Sequence, residues 1–565
     1  MENKELKEEE KNEEQVKQNS SEENAAFGVA NESAIENSEK AQKEVKKSKK
    51  KKITIAISAV LTAVIVLGMF FGIYSLAVIY GSTTITLNTE KTYQTMEGFG
   101  ASSAWIYQDF GKLDNEELKS QAMEMLYGDS GLALNTFRYN ISGGGAEVYQ
   151  YDDVLRGGES FFKTDVARSI MDGTKDYSEF KDIQNYDFTK DAAVQSLFEE
   201  ALNLGNIDSV VFFANSPHYA MTVNGLTHGT TEHFNNHKED AYEAFSDYLL
   251  IITDYLTKTY IQPVEEKFGK DIKVYISPVN EPQWTWGGPY ASQEGCHYDP
   301  KPLAKFYQQF YTSLNAYNNS NDTDFKMDIF ECGKYMMVAS SANVNEYMTE
   351  FEKYPFFDSI TNISAHSYGA DTSKFYRTLY ADYMDKYYSD LSISITEYCV
   401  LEFGIDPSID MGLFSAKVIM RDLTMLDAVS WNYWLSISKG DYEDGLIYWN
   451  NIDGEDVIKA YKRYYTMGHF SKYIPDGSVR IEASYSDTLG FNGVECVAYK
   501  RPDGSIAMVV INDSERSHKI NIKGGYKNIE EVLTTEEENW KTSEYKNGGS
   551  ITIPSKSIAT YIFTK

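Results

Sequence analysis

Cysteine is scarce in this chain: Cys296, Cys332, Cys399 and Cys496 are all there is in 565 residues, far apart and with no CxxC pair. That spacing excludes a zinc-ribbon type of site, and such sparse usage in a large domain makes free buried thiols the expected state. Positive charge is also in short supply. Against 53 Lys and Arg stand 84 Asp and Glu, a net charge of −31, with no basic stripe. A surface of that sign repels phosphate backbones, which excludes nucleic acid as a partner and suits a neutral substrate. No GxGxxG or P-loop run is present to cradle a nucleotide. Residues 1–42 have almost no large apolar side chains, so they cannot offset the entropy lost on folding, and a disordered tail is expected there.

What the sequence does have begins with an uncharged apolar run, residues 53–80 (ITIAISAVLTAVIVLGMFFGIYSLAVIY). It exceeds the ~20 residues that cross a hydrocarbon core as a helix. Seven lysines lie between Lys43 and Lys52 just before it. The positive-inside rule therefore predicts a cytoplasmic N-terminus and an external C-terminal mass. A signal peptide cut after Ala77 is the alternative, but the run is long for an h-region of ~7 to 15 residues.

Beyond the apolar run, short strand-like segments alternate with amphipathic helical ones, the pattern of a parallel sheet with helical crossovers. Eight strands are predicted, ending near Gly98, Arg138, Asn215, Asn280, Glu331, His366, Glu397 and Trp431. Helical periodicity fills the intervals, as in 115–127, 191–204, 241–260, 302–316, 343–353, 374–388 and 412–426. Eight such pairs predict an α/β fold, a (β/α)8 TIM barrel, with a C-terminal β-sandwich side domain beyond it. The sandwich is expected from short alternating strands at 478–484, 493–501, 505–512, 518–522, 528–534 and 549–563, and Thr83 to Leu87 is expected to cross over and join it. The predicted organisation is a cytoplasmic tail (1–52), a transmembrane anchor (53–80), a linker with a first strand (81–95), the barrel (96–467) and the sandwich (468–565).

In a barrel, polar residues at the C-terminal ends of the strands share one mouth. Glu281 ends the run VYISPVNEP (274–282) and Glu397 ends LSISITEYC (391–399). Two carboxylates in one mouth can divide the work of glycoside cleavage, one protonating the leaving oxygen and the other attacking the anomeric carbon; retention needs them about 5 to 5.5 Å apart. Glu281, in an aromatic loop, is expected to be the acid/base. Glu397 is expected to be the nucleophile, kept ionised by Arg138. Asn280 suits a bond to a ring hydroxyl, and Asn215 stands at the same mouth. His366 and Tyr368 suit steering of the nucleophile, with a satisfied core histidine as the other reading of His366. Glu331 reads as an ion-pair partner of Lys334 or as a third acidic contact. Trp105, Trp286, Trp431 and Trp434 fall near strand ends, where indoles can stack on the C–H faces of sugars, although aromatics are more often core.

Eight ordered strings carry a resemblance: MEGFGASSAW (96–105), FRYNISGGG (137–145), FFANSPHYAMTVNG (212–225), YISPVNEPQWTWGG (275–288), QEGCHYDP (293–300), SAHSY (364–368), SITEYC (394–399) and YYTMGHFSKYIPDGSVRI (464–481). Together they resemble glycoside hydrolase family 30, most closely its endo-β-1,6-galactanase-like branch, from about residue 84 to the end. The resemblance implies a retaining mechanism without cofactor or metal, with acid/base and nucleophile at Glu281 and Glu397, acting on β-1,6-galactan, xylan or β-1,6-glucan. His218 and Tyr219 depart from the Pro-Pro or Pro-Trp expected after NSP, which bears on subsite preference. A non-catalytic glycan-binding protein on the same scaffold is the alternative from another class.

Overall fold

The computed structural model describes residues 40, 43–44, 46–52, 54–72, 82–148, 157–229, 232, 234–287, 293–335, 344–485, 493–523, 526, 528–546 and 550–564. The chain forms two units, Met1–Gly81 and Ser82–Lys565. In the first, Lys46–Gly72 is a helix long and apolar enough to cross a membrane. Val60, Leu61 and Phe71 stand exposed on it. Residues 46–52, expected within a disordered tail, are its first turns; lysine is a good helix former and simply continues the apolar helix backward. Most of the expected tail, and the expected membrane residues 73–80, lie outside the described residues.

The second unit opens on β1 (Ser82–Thr95) and continues through β2 (Gly98–Ser102), β3 (Thr136–Asn140), β4 (Ser209–Phe213), β5 (Lys273–Ser277), β6 (Lys326–Met327), β7 (Asn362–His366), β8 (Ser392–Glu397) and β9 (Ser430–Lys439). Strands β9, β2, β3, β4, β5 and β6 pair in that order, and β7 pairs β8, which pairs β9. All these ladders are parallel. The seam between β6 and β7 is closed by bonds beyond the end of β6, Ser364 N–H to Ile329 O at 3.0 Å and His366 N–H to Cys332 O at 2.8 Å. The result is a closed eight-stranded barrel. β6 is short because Phe330 (φ +81°) and Glu331 (φ +43°) leave the extended region. Left-handed backbone at non-glycine residues costs of order 1–3 kcal/mol each, a strain found mostly at functional positions.

Alternation along β4 shows how the barrel is filled. Val210 and Phe212 join the large core beneath the helices, whereas Val211 and Phe213 pack with Trp105 and Leu435 in a separate inner cluster. The helices obey local signals. Asn115 caps Glu116–Tyr127 by accepting the Leu118 N–H at 3.0 Å, Ser373 caps Lys374–Tyr387, and a proline opens Pro300–Asn321.

After β9 come β10 (Gly445–Ile452), β11 (Glu455–Ala460) and a helix, Lys462–Ser471. The remaining strands are β12 (Val479–Tyr485), β13 (Val494–Lys500), β14 (Ile506–Asn512), β15 (His518–Lys523), β16 (Asn528–Thr534), β17 (Lys541–Lys546), β18 (Ser550–Ile553) and β19 (Ser557–Thr564). They form one nine-stranded sheet with β1, in the order β17-β16-β19-β14-β13-β12-β1-β15-β18. Its faces meet over Ile85, Val510, Ile520, Ile551 and Tyr561. β1 lies antiparallel to β12 and parallel to β15, so the crossover expected for Thr83 to Leu87 is present. One expectation needs correction: the single strand expected over 549–563 is two, Ser550–Ile553 and Ser557–Thr564, divided at Pro554 and at Lys556, whose φ is +45°. Lys541–Lys546 is a strand that the charged sequence KTSEYK conceals. Helix Lys462–Ser471 joins the two folds, with His469 spanning Thr560 and Thr534 at 2.8 Å from each ring nitrogen.

Candidate active site

The strand ends converge on a buried charge cluster with Glu331 at its centre. Glu331 is fully buried. Arg138, in the middle of β3, donates from Nη2 to both Glu331 oxygens at 3.1 and 3.2 Å. Ser277 Oγ and Thr396 Oγ1 donate at 2.9 and 2.6 Å, and His366 Nε2 lies at 2.7 Å. Burial drives this carboxyl upward, but the Arg138 charge, His366 and Thr396 outweigh it and hold it at about 2. Lys334, its expected partner, lies instead over the Trp284 ring, 5.4 Å from the centroid.

His366 spans the cluster. Its Nδ1 lies 2.9 Å from Glu281 Oε1 and 3.7 Å from Glu397 Oε1. Burial pulls its proton affinity down, yet the Glu397 charge and the bonds to Glu281 and Glu331 prevail and lift it to about 10. Both ring nitrogens face carboxylates, which favours the charged ring, and the contacts reach Glu281 and Glu331 as well as Glu397. Glu281, His366 and Glu397 offer ligand atoms all within 4.8 Å of one another, the one such group among the described residues. With both nitrogens turned to carboxylates, the ring is placed to share charge and protons among them.

Tyr368 O–H donates to Glu397 Oε1 at 3.0 Å, and Arg138 Nη1 reaches Oε2 at 3.5 Å. Burial pushes Glu397 up to about 7; the Glu281 and Glu331 charges add to it, while His366 and Arg138 pull the other way. An apolar loop is thus not what separates the two carboxylates, since both are buried. They differ in their donors: a cationic imidazole for Glu281, a phenol and a guanidinium for Glu397. Arg138 and His366 face the carboxylates of Glu281, Glu331 and Glu397, and the buried Asp328, itself pushed up to about 7, adds its charge on the Arg138 side. One acid and one anion side by side can protonate a leaving group and attack a carbon.

Backbone strain aims Glu281. Its φ is +44°, and that of Trp286 is +51°. Trp286 Nε1 donates to Glu281 O at 3.0 Å. Gly333 permits the approach: a Cβ there would stand 2.5 Å from both Glu281 Oε1 and Trp284 Nε1. Neither Gly333 nor the hub role of Glu331 carries a linear sequence signal, because both depend on barrel closure.

Of the remaining expected residues, Asn280 and Asn215 are buried at the mouth, and Asn280 Oδ1, both side-chain polar atoms of Asn215, and Trp105 Nε1 have no hydrogen-bond partner among the described residues. Trp105 meets Trp434 edge to face at 5.6 Å, and Phe213 lies between Trp434, at 6.4 Å, and the Arg138 guanidinium, at 4.2 Å. Trp431 is a correction. It is fully buried and donates its indole N–H to Asp422 at 2.9 Å, so it packs outward under the helices. His218 is buried among Phe162, Phe180 and Tyr248, which makes it a loop anchor. All four cysteines are buried, and none is joined in a disulfide. A larger cavity, about 610 Å³, opens at the other end of the barrel among strand-start residues such as Thr136, Ser209 and Ser392 and includes neither Glu281 nor Glu397.

A family model described as O-glycosyl hydrolase family 30 matches residues 82–448. A second, the glycosyl hydrolase family 30 beta sandwich domain, matches residues 477–561. An endo-beta-1,6-galactanase of Hypocrea rufa is 24% identical over 408 residues, covering 70% of this chain and 75% of the relative. An exo-beta-1,6-galactobiohydrolase of Bifidobacterium longum is 25% identical over 310 residues, 46% of this chain and 20% of that longer protein. A conserved exported protein from Bacteroides fragilis has a crystal structure with a TM-score of 0.72 at 22% identity, covering 85% of this chain and all of that one.

Proposed function

The chain belongs to glycoside hydrolase family 30, and from that premise we propose that it is a retaining, endo-acting glycosidase that cleaves β-1,6-galactan or a related glycan. The observation that carries this reading is the buried trio of Glu281, His366 and Glu397 with ligand atoms all within 4.8 Å. Retaining glycosidases hold their carboxyls about 5 to 5.5 Å apart, close enough for direct attack, whereas inverting enzymes leave ~6.5 to 9.5 Å for a water. Glu397 is the nucleophile: Tyr368 and Arg138 bond its two oxygens and can hold it for attack. Glu281 is the acid/base, held by His366 Nδ1 at 2.9 Å from its Oε1. The unpartnered polar atoms of Asn215, Asn280 and Trp105 await hydroxyl groups, since a buried polar atom left unpaired costs ~1 to 3 kcal/mol.

β-1,6-galactan is the first substrate to test, because the relative from Hypocrea rufa bears that activity in its name. Helix Lys46–Gly72 serves as a membrane anchor with the lysine-rich end in the cytoplasm, so that the catalytic unit meets polymers outside the cell. The protein is incubated with β-1,6-galactan, xylan and pustulan, the products are sized, and the anomer first released is followed by NMR. Internal cleavage of galactan with a β-anomer as first product is expected. Release of the α-anomer would remove the retaining mechanism, and inertness toward all three polymers would remove the substrate reading. Glu397→Gln should abolish turnover while glycan binding persists.

A further inference from the structure

Phe403 is 90% exposed, more than any other large apolar side chain among the described residues, and Leu401 beside it is 59% exposed. Both lie on the loop that leaves β8 just after Glu397. That loop is braced. Phe403 bridges to Tyr442, their rings 4.9 Å apart at 79°. Gly404 N–H donates to Asp441 O at 3.1 Å, and Glu443 N–H donates to Glu402 O at 3.0 Å. The Glu443 carboxylate is in turn ion-paired with buried Arg463. Gly404 (φ +85°) and Gly440 (φ +99°) make turns that a side chain would strain. An aromatic ring is thus held in water on a stiff support. A cavity of about 200 Å³ runs along the same loop, lined from Tyr368 and Cys399 to Leu401 and Glu402, and Tyr368 is the residue that donates to the nucleophile.

We propose that Phe403, with Leu401, is an outer sugar platform that stacks on the apolar face of a neutral hexose unit remote from the scissile bond. This rests on the glycosidase reading above. Two side chains offer far less than the ~1,000 Å² that a specific protein interface buries. The C–H face of one pyranose, by contrast, matches a single phenyl ring. Leu401 lines the cavity that runs back to Tyr368, and Phe403 stands just outside that lining, so the occupant is the distal part of the glycan being cleaved.

The test compares wild type, Phe403→Ala and Phe403→Trp on a β-1,6-galacto-oligosaccharide of five units and on an aryl monogalactoside. An aromatic contact is worth about three- to tenfold in binding, so the ratio of kcat/KM for the long substrate to that for the short one should fall about that much in the Ala variant. It should return in the Trp variant. An active wild type with an unchanged ratio in Phe403→Ala, or with an equal loss on both substrates, overturns the platform and leaves the glycosidase reading intact. Affinity electrophoresis through galactan, xylan and pustulan reads the platform without turnover. Weaker retardation of Phe403→Ala on the polymer that wild type binds supports it, and retardation of wild type by none of the three overturns it.

Discussion

Replacing Glu331 by Gln should shift the pH profile of the enzyme toward acid without touching a reacting group. Glu331 is the third carboxylate of a buried cluster whose cations are Arg138 and His366. Its charge adds to burial in pushing Glu397 up, and its bond helps to keep His366 protonated up to about 10. The Glu331→Gln variant would remove one of the negative charges facing Arg138 and His366, and with it part of what holds a proton on Glu397. Two unit charges ~5 Å apart at an effective dielectric of ~20 interact by about 3 kcal/mol, equivalent to about two pKa units. The basic limb of kcat/KM, which reports loss of the proton from the acid, should therefore move down by about one to two units. The acid limb should move down with it, so that the variant is poorer at neutral pH and relatively better in acid. Breaking a buried pair costs roughly 3–5 kcal/mol of stability, so urea unfolding of the same preparation establishes the pH range over which the variant is folded. A basic limb that stays in place or moves upward in folded protein would refute the charge-balance reasoning.

Gly333→Ala should lower kcat/KM by roughly tenfold or more with little change in the urea midpoint, because the added Cβ collides with Glu281 Oε1 and Trp284 Nε1 and a small misplacement of a catalytic group is costly. Trp431→Phe and Trp286→Ala should behave oppositely: the first loses a buried bond to Asp422 and about 1–3 kcal/mol of stability at unchanged KM, while the second raises KM, as urea melts and initial rates will show. Glu294 is buried against Ser142 Oγ and the N–H groups of Gly143 and Gly145, and burial lifts it to about 7 over those donors. A carboxyl raised in the folded state stabilises most below its unfolded value of 4.5 and loses that contribution as pH rises toward 7. The stability difference between wild type and Glu294→Gln should accordingly shift by about 3 kcal/mol between those pH values, and a flat difference would contradict the assignment.

The barrel was legible because most strands announce themselves by a short apolar run and the helices by their apolar periodicity, helped at Asn115 and Ser373 by a cap. Glu281 and Glu397 were legible because chain order alone puts them at strand ends. Glu331 was not, since Lys334 three residues on is the partner that local spacing suggests, whereas its actual partners come from strands brought near only by closure. Trp431 and Trp434 show the same limit at finer grain. In β9 the register against β2 slips between Tyr433 and Leu435, so that Trp434 and Leu435 both reach the inner cluster while Trp431 packs beneath the helices; proximity to a strand end says nothing about which face a residue takes. The split within 549–563 is written in Pro554-Ser-Lys-Ser, where the apolar alternation breaks, a turn signal that reading one long strand passes over.

The position of β1 has a bearing on biosynthesis. Asn88 contacts Glu482, 394 residues later, and Ser82–Thr86 pair with Lys519–Lys523. The earliest segment of the catalytic unit to emerge must therefore wait, both edges open, until nearly the whole polypeptide has followed it. Ribosome-stalled or truncated chains ending before β12 would carry a complete barrel and a bare strand, a form suited to chaperone capture or to aggregation through that edge.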